Sequence, residues 1–379
     1  MLQASVSRLA SMWNDSKIQV LTSDPDSLRR LCPDAEPFGA SGRARWLSLS
    51  RPSSRTVVRT IRVWGRICLQ PSQRDAVNLF RSAVGAADLV IVTGMGGITD
   101  AFPSYARDLL STVGFARRKR RYVAMVGQGF GPLLDPELVR LAREVLPQIS
   151  LIALREELTS KPLLLSLGVR TDRIVTTGDD AIEMAYRARA ISIGRCLGVN
   201  VRVADYSDVT SSILSDLREA LKDVSQSLSA ETISLPISSV PGEADQESIA
   251  AVIATDDIAG ADPSPEDVIK KIQKCRLVIT GSYHAGVFAL ASGIPVIGLA
   301  KSNYYIAKFE GLSAQFGPGC EVVLLSDPDF GRVLKEKAAA LWGAADSVRP
   351  LLLKQATRQI EAGRLVYARI KKEVEARWA

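Results

Sequence analysis

Short apolar runs alternate with longer stretches of helical spacing along most of the chain. That alternation is the pattern of parallel strands joined by crossover helices. Leu2 to Trp13 has helical spacing and leads to a strand at Lys17 to Leu21. A second strand, Asp88 to Thr93, runs into Gly94-Met95-Gly96-Gly97. A helix over Tyr105 to Phe115 and a strand over Tyr122 to Val126 follow, closed by another glycine turn, Gly127 to Gly131. The pattern continues with a helix at Pro136 to Leu146, a strand at Ser150 to Leu154 and a helix at Leu158 to Leu167. This run predicts one doubly wound α/β domain over residues 1–188.

The alternation lapses near Ala185 to Arg195 and starts afresh with a strand at Cys196 to Val203. A helix at Ser211 to Leu228 and a strand at Thr232 to Ile237 come next. Pro241 to Pro265 is rich in Pro, Gly, Ala and Asp and reads as irregular. Helix Pro265 to Lys274, strand Arg276 to Thr280, helix Ala285 to Ser292 and strand Pro295 to Leu299 complete a second α/β domain over 189–345. The remainder, 346–379, is charged and helix-periodic from Leu351 onward, and is expected to form a C-terminal helix.

Composition changes this picture little. At 379 residues with 46% hydrophobic content, the chain can bury two cores of ordinary size. The formal charge of +7 is concentrated in part at Arg117-Arg118-Lys119-Arg120-Arg121. That cluster suits a solvated helix end, or contact with phosphate or an anionic membrane surface. No aromatic residues interleave with it, which argues against nucleic acid. The five scattered cysteines form no CxxC pair, and a single histidine excludes a zinc site needing two. No run reaches the length of a membrane span and no signal-peptide core opens the chain, so a cytoplasmic protein is expected, with contact at the inner membrane face left open.

Ligands of parallel α/β sheets bind beyond the carboxyl ends of the strands. Three glycine-marked turns stand at such places here: Gly94 to Gly97, Gly127 to Gly131, and Gly281. Glycines admit close approach of backbone to ligand, and following helix N-termini favour anions. Neither a GxGxxG nor a GxxxxGK[ST] spacing is present, which removes the common dinucleotide and P-loop readings. The only histidine, His284, follows the strand ending at Thr280. It is placed to serve as an acid or base in a cleft, or to sit hydrogen-bonded in the core. Lys301, Tyr304, Tyr305 and Lys308 follow the next strand end, and Arg155 follows the strand at Ser150 to Leu154. These cations could receive phosphate or carboxylate, and the tyrosines could instead be packed. Asp179 and Asp180 either line the site or cap a helix starting at Ala181.

Taken together these stretches resemble the polysaccharide pyruvyltransferase family. The resemblance rests on "VTGMGGITD" with Asp100, "GQGFGPL", "LREELTSKPLLLSLGV" with Arg155 and Glu156, "TTGDDA", and "CRLVITGSYHAGVFALASGIPVIGL", with Lys308 where the family carries a lysine. It implies two Rossmann-like doubly wound domains of glycosyltransferase-B type with the active site between them. It also implies transfer of pyruvate from phosphoenolpyruvate onto two sugar hydroxyls as a ketal, with release of phosphate. On that footing His284 is the acid/base, and Arg155 and Lys308 hold the donor's anionic groups. Ser282, Gly96, Gly97, Asp100, Gln128, Gly129 and Asp179 complete the expected substrate site. No metal or cofactor is called for beyond the donor, and a glycan or lipid-linked sugar is the expected acceptor.

Two departures accompany the resemblance. Ser282 stands where family members often carry an arginine two residues before the histidine. The first strand and acidic turn of the family are missing ahead of "MLQASVSRLA", so the natural start is expected upstream of Met1. A nucleotide-sugar glycosyltransferase of the same fold, or an inactive glycan-binding member, are the alternatives to a pyruvyltransferase.

Overall fold

The computed structural model describes residues 2–50, 70–240, 242–254 and 264–377. Cys68, and much of the stretch expected to be irregular between 241 and 265, lie outside them. The chain forms two compact units. The first comprises Met1–Ala153, Leu163–Val175 and Leu365–Ala379, and the second Leu154–Pro162 and Thr176–Arg364. Among the described residues no helix is long and apolar enough to cross a membrane.

In the first unit, β1 (Gln19–Thr22) and β2 (Glu36–Gly39) pair as a small parallel ribbon. The main sheet takes β3 (Leu89–Val92), β4 (Tyr122–Gln128), β5 (Leu151–Leu154) and β6 (Ile174–Thr176) in sequential order. Every residue of β4 is buried, as expected of a central strand covered on both faces. Leu9, Ala124, Val126, Leu151 and Ala153 pack with Val366, Tyr367 and Ile370 of the last helix. Tyr122 donates its hydroxyl to Glu373 at 2.9 Å across the same seam.

The arginine cluster ends the helix Pro103–Arg118 and turns the chain into β4. Arg117 donates to the carbonyl of Arg121 at 2.7 Å, while Arg118, Lys119 and Arg120 are exposed. Cations at a helix C-terminus complement its dipole.

The second unit holds a five-stranded sheet in the order β11 (Cys320–Leu324), β10 (Val296–Ala300), β9 (Cys275–Thr280), β7 (Cys196–Asn200), β8 (Thr232–Ser234). All of its pairings are parallel. The chain winds outward from β7 to β8, then returns to add β9 on the other side of β7. The strand order therefore reverses between β7 and β9, which opens a crevice at their carboxyl ends. Below it, Leu197, Val199, Leu277, Ile279 and Ile297 form a core with Leu217, Leu221 and Val224 of helix Ser211–Leu228.

Two sequence expectations need correction. The last helix begins at Phe330 and runs to Glu375, with Pro350 inside it, rather than starting near 346. Proline removes one backbone donor from a helix and usually marks its beginning or end. Next to it, Arg349 donates to the carbonyl of Ser292 at 3.0 Å and ties this part of the helix to the end of helix Tyr283–Ala291. The stretch read as irregular also contains a short helix, Asp245–Ala250, whose first residue matters below.

Candidate active site

His284 is positioned by the end of β9. Gly281 follows that strand, and a Cβ there would lie 2.8 Å from the backbone nitrogen of Arg202. Only glycine lets the ends of β7 and β9 come this close. The Thr280 hydroxyl accepts from the Ser282 N–H at 2.8 Å and fixes the turn into helix Tyr283–Ala291. Ser282 is the helix N-cap, yet its side chain makes no capping bond. His284 lies in the first turn, and its side chain is 36% exposed while that of Asp179 is 1% exposed. Nε2 of His284 is 3.9 Å from Oδ2 of Asp179, within ion-pair range but beyond a hydrogen bond.

Asp179 shapes the turn ahead of the next helix without capping it, since that helix has Ala181 as its N-cap and no side-chain cap bond. Its Oδ1 accepts from the N–H of Ala181 at 2.9 Å, ahead of helix Ile182–Ala188. Its Oδ2 is buried, without a hydrogen-bond partner among the described residues, and faces the imidazole. Burial raises the Asp179 carboxyl above its ordinary range, opposed by the Ala181 N–H and by the Arg155 and Lys308 charges.

Cations gather on the other side of the histidine. Arg155, just past β5, is buried, with its guanidinium 4.2 Å from the centroid of the Tyr283 ring. Gln315 of helix Asn303–Phe316 donates to the Arg155 carbonyl at 2.7 Å and locks the strand end to that helix. Gly311 of the same helix lets Glu156 in, since a Cβ there would lie 2.7 Å from the Glu156 side chain. Glu156 accepts from the N–H groups of Thr159 at 2.9 Å and Ser160 at 3.0 Å, so it braces the loop carrying Arg155. Lys308 stands 3.8 Å from the Tyr304 ring centroid and 5.9 Å from that of Tyr283. Tyr304 and Tyr305 are buried, as the packing alternative for them required, and they also cradle Lys308.

This grouping has an electrostatic consequence. Burial, then the Arg155, Lys308 and Arg202 charges, push the His284 pKa down well below its ordinary 6.5. Its imidazole is therefore neutral at pH 7 and begins any reaction as a proton acceptor. Burial and the neighbouring Arg155 and Arg202 also push Lys308 far below its ordinary range, with Asp179 opposing.

The glycine turns of the first unit are ordered by their own polar groups. Gly97 packs against Tyr105, since a Cβ there would come within 2.5 Å of that ring. The Asp100 carboxylate accepts from the N–H groups of Leu134 at 2.6 Å and Asp135 at 3.1 Å. Gln128 is buried and donates to the carbonyls of Val92 at 3.2 Å and Val126 at 3.0 Å. Gly129 donates to Met95 at 3.5 Å. Asp100 and Gln128 thus hold these two turns together.

Sequence reasoning missed Arg202, which directly follows the extended backbone after β7. Its guanidinium makes a two-point contact with Asp245, Nε to Oδ1 at 3.0 Å and Nη2 to Oδ2 at 3.2 Å. Asp245 also accepts from Asn200 Nδ2 at 2.8 Å and from the N–H groups of Ile237 at 2.8 Å and Ser238 at 3.0 Å. The sequence placed Arg202 inside a strand expected to run to Val203, whereas the strand ends at Asn200.

A model of the polysaccharide pyruvyl transferase family matches residues 1–303. The chain belongs to that family. As a polysaccharide pyruvyl transferase family member it is a transferase of polysaccharide biosynthesis. No curated protein sequence matched the chain. Solved structures resemble it at low identity. UDP-GlcNAc 2-epimerase from Neisseria meningitidis bound to UDP-GlcNAc is 11% identical, with 98% of this chain and 96% of that one covered and a TM-score of 0.57. The S. aureus MnaA–UDP complex is 14% identical, covering 99% and 94%, with a TM-score of 0.58. A glycosyltransferase from Rickettsia africae is 11% identical, covering 98% and 93%, with a TM-score of 0.56. At such identities the likeness establishes the fold, an α/β fold of glycosyltransferase-B type with parallel sheets and a C-terminal helix.

Proposed function

We propose that this family member transfers pyruvate from phosphoenolpyruvate onto two hydroxyls of a sugar in a cell-surface polysaccharide or its precursor. The observation that carries the reading is His284 beside the buried Asp179 carboxyl, with Arg155 and Lys308 gathered around Tyr283 next to it. A proton acceptor flanked by cations suits a donor that bears two anionic groups and an acceptor that must lose hydroxyl protons.

In the first step His284 takes the proton of one acceptor hydroxyl as its oxygen bonds to the central carbon of the donor. The terminal enol carbon takes that proton from the His284 imidazolium and becomes a methyl group, which returns His284 to its neutral form. Phosphate then leaves with its electron pair, producing an oxocarbenium-like centre. The second hydroxyl adds to that centre, and its proton departs with phosphate. One donor and two hydroxyls give one cyclic ketal and one phosphate, with no oxidant or reductant needed. Arg155 and Lys308 hold the donor's negative charge, and Asp179 stabilises the imidazolium as it forms.

The test is phosphate release from phosphoenolpyruvate that depends on added sugar acceptor. A wild-type protein that releases none with any acceptor, yet is thermally stabilised by a nucleoside diphosphate, would instead be a nucleotide-sugar enzyme. Peripheral contact with an anionic membrane, through Arg118, Lys119 and Arg120, accompanies this reading when the acceptor is lipid-linked. Sedimentation with anionic but not neutral vesicles tests that contact.

A further inference from the structure

A basic groove lies at the end of β4 away from the glycine turns. It has a volume of about 350 Å³ and is lined by Asp88, Arg120, Arg121, Tyr122 and Arg377, all of the first unit. At ~3.3 Å per residue, Tyr122 and Gln128 at the two ends of β4 stand about 20 Å apart. The groove is therefore separate from the turn that follows Gln128. Tyr122 is buried, and the Arg377 guanidinium lies 5.2 Å from its ring centroid.

The backbone is strained to present Arg120. Helix Pro103–Arg118 ends with the N–H of Arg121 bonded to the Ala116 carbonyl at 3.1 Å and that of Arg120 to the Arg117 carbonyl at 2.8 Å. This ending needs a left-handed residue at the place of Arg120, where glycine is the usual occupant. Arg120 has a φ of 58°, a conformation that is costly for a residue with a Cβ. No local contact accounts for the arginine. Its side chain forms no hydrogen bond or ion pair among the described residues. The helix end is served instead by Arg117, which donates to the Arg121 carbonyl at 2.7 Å.

The charge of the groove is left largely uncompensated. Among the described residues Asp88 is the one carboxylate lining it, against three arginines. Glu373, four residues before Arg377, is committed to the Tyr122 hydroxyl at 2.9 Å and to Arg369 at 2.6 Å. Burial, then the Arg377 and Arg173 charges, lowers the pKa of Arg117, so like charges press on one another here. Arg118 and Lys119 stand exposed beside the groove.

We propose that this groove seats the phosphate of an anionic phospholipid headgroup, held by Arg120, Arg121 and Arg377, when the protein lies on a membrane. Guanidinium forks match phosphate oxygens. A small soluble phosphate would satisfy those forks alone, whereas the exposed cations flanking them suit an extended anionic surface. The inference rests on the peripheral membrane contact proposed above and gives it a defined place. It does not depend on the identity of the donor.

The test is co-sedimentation of the full chain with vesicles of phosphatidylcholine alone and of phosphatidylcholine with phosphatidylglycerol. Arg118→Gln, outside the groove, reports on charge alone and should weaken binding to the anionic vesicles about fivefold. Arg120→Gly removes the same charge inside the groove and should weaken binding roughly 20-fold or more. It should also raise the unfolding midpoint, because glycine is at ease in the left-handed position. Arg377→Gln should match Arg120→Gly in binding. Equal losses in all three variants would leave the membrane contact standing as diffuse attraction and overturn the groove. A lower unfolding midpoint for Arg120→Gly would overturn it too, by making that arginine structural. A wild-type chain that ignores anionic vesicles removes both the contact and its seat. Inorganic phosphate that then binds through Arg120, followed by ligand-observed NMR, would reassign the groove to a soluble anion.

Discussion

Nε2 of His284 and Oδ2 of Asp179 lie 3.9 Å apart, and that carboxylate oxygen is buried with no hydrogen-bond partner among the described residues. A buried oxygen left unsatisfied costs free energy, so its persistence beside the only histidine argues for a working role. Removing the imidazole with His284→Ala should lower kcat for acceptor-dependent phosphate release by about 100-fold or more, the usual scale of general acid–base catalysis. Donor affinity should change little, since Arg155 and Lys308 remain. Steady-state kinetics with separate titration of donor and acceptor checks both, and an unchanged kcat removes His284 from the chemistry.

Asp179→Asn should separate the turn bond to Ala181 from electrostatics. Asparagine can still accept from the Ala181 N–H through its side-chain oxygen, so the turn before helix Ile182–Ala188 should survive. What is lost is the negative charge that stabilises the imidazolium. The expected result is a fall in kcat of about tenfold or more with thermal stability nearly unchanged. A variant that loses stability but keeps kcat would make Asp179 a structural turn residue alone.

The single histidine also gives a direct pH measurement. Its ring protons form the only histidine signals of the chain, so their titration needs no assignment by mutagenesis. The midpoint should lie well below 6.5, because burial and the Arg155, Lys308 and Arg202 charges disfavour the imidazolium. The sign for stability follows. Below 6.5 the unfolded chain takes up a proton at this site that the folded chain refuses, so stability falls as pH drops from 6.5 toward the folded value. Lys308→Gln removes one of the opposing charges and should move the midpoint upward. A midpoint at or above 6.5 in the wild type would contradict the cationic surroundings described here.

Much of this arrangement was legible in the sequence, and the reasons differ from residue to residue. His284, Lys308 and Arg155 could be placed because each follows an apolar strand whose end is marked by glycine or a change of polarity. The helix Ser211–Leu228 was readable to its ends from its spacing. Arg202 was not, because "VNVRVAD" continues the apolar run past the residue where β7 ends at Asn200. The partner Asp245 was hidden in a segment rich in turn formers, and its role depends on a contact 43 residues away in sequence. Tyr283, which no motif singled out, is the buried surface on which Arg155 rests. The start of the helix at Phe330 was missed because Pro350 breaks the local pattern.

The Arg202–Asp245 pair yields a stability prediction of opposite character. Asp245→Ala leaves a buried guanidinium without its counter-charge, and Asn200, Ile237 and Ser238 without their acceptor. Breaking a buried ion pair from one side costs about 3–5 kcal/mol. Denaturant unfolding followed by fluorescence should show a large loss for Asp245→Ala and a smaller one when Arg202 is neutralised in the same chain. Equal losses in the single and double variants would mean that the pair is not coupled.

Gly281→Ala tests whether the approach of β7 to β9 serves the site more than the fold. The added methyl would sit 2.8 Å from the Arg202 nitrogen and 3.3 Å from its Cβ, so one of the two strand ends must move. The bond from the Gly281 N–H to the Asn200 carbonyl, 3.0 Å long, resists that separation. Crowding of this kind in a packed interior costs about 1–3 kcal/mol, which a domain of this size should survive. The displaced residue is Arg202, whose guanidinium is fixed by Asp245 and cannot follow its backbone freely. Donor KM should therefore rise, while the His284 titration midpoint, set mainly by burial and by Arg155 and Lys308, should shift far less. A variant with normal donor KM and markedly lower stability would assign Gly281 to strand packing alone.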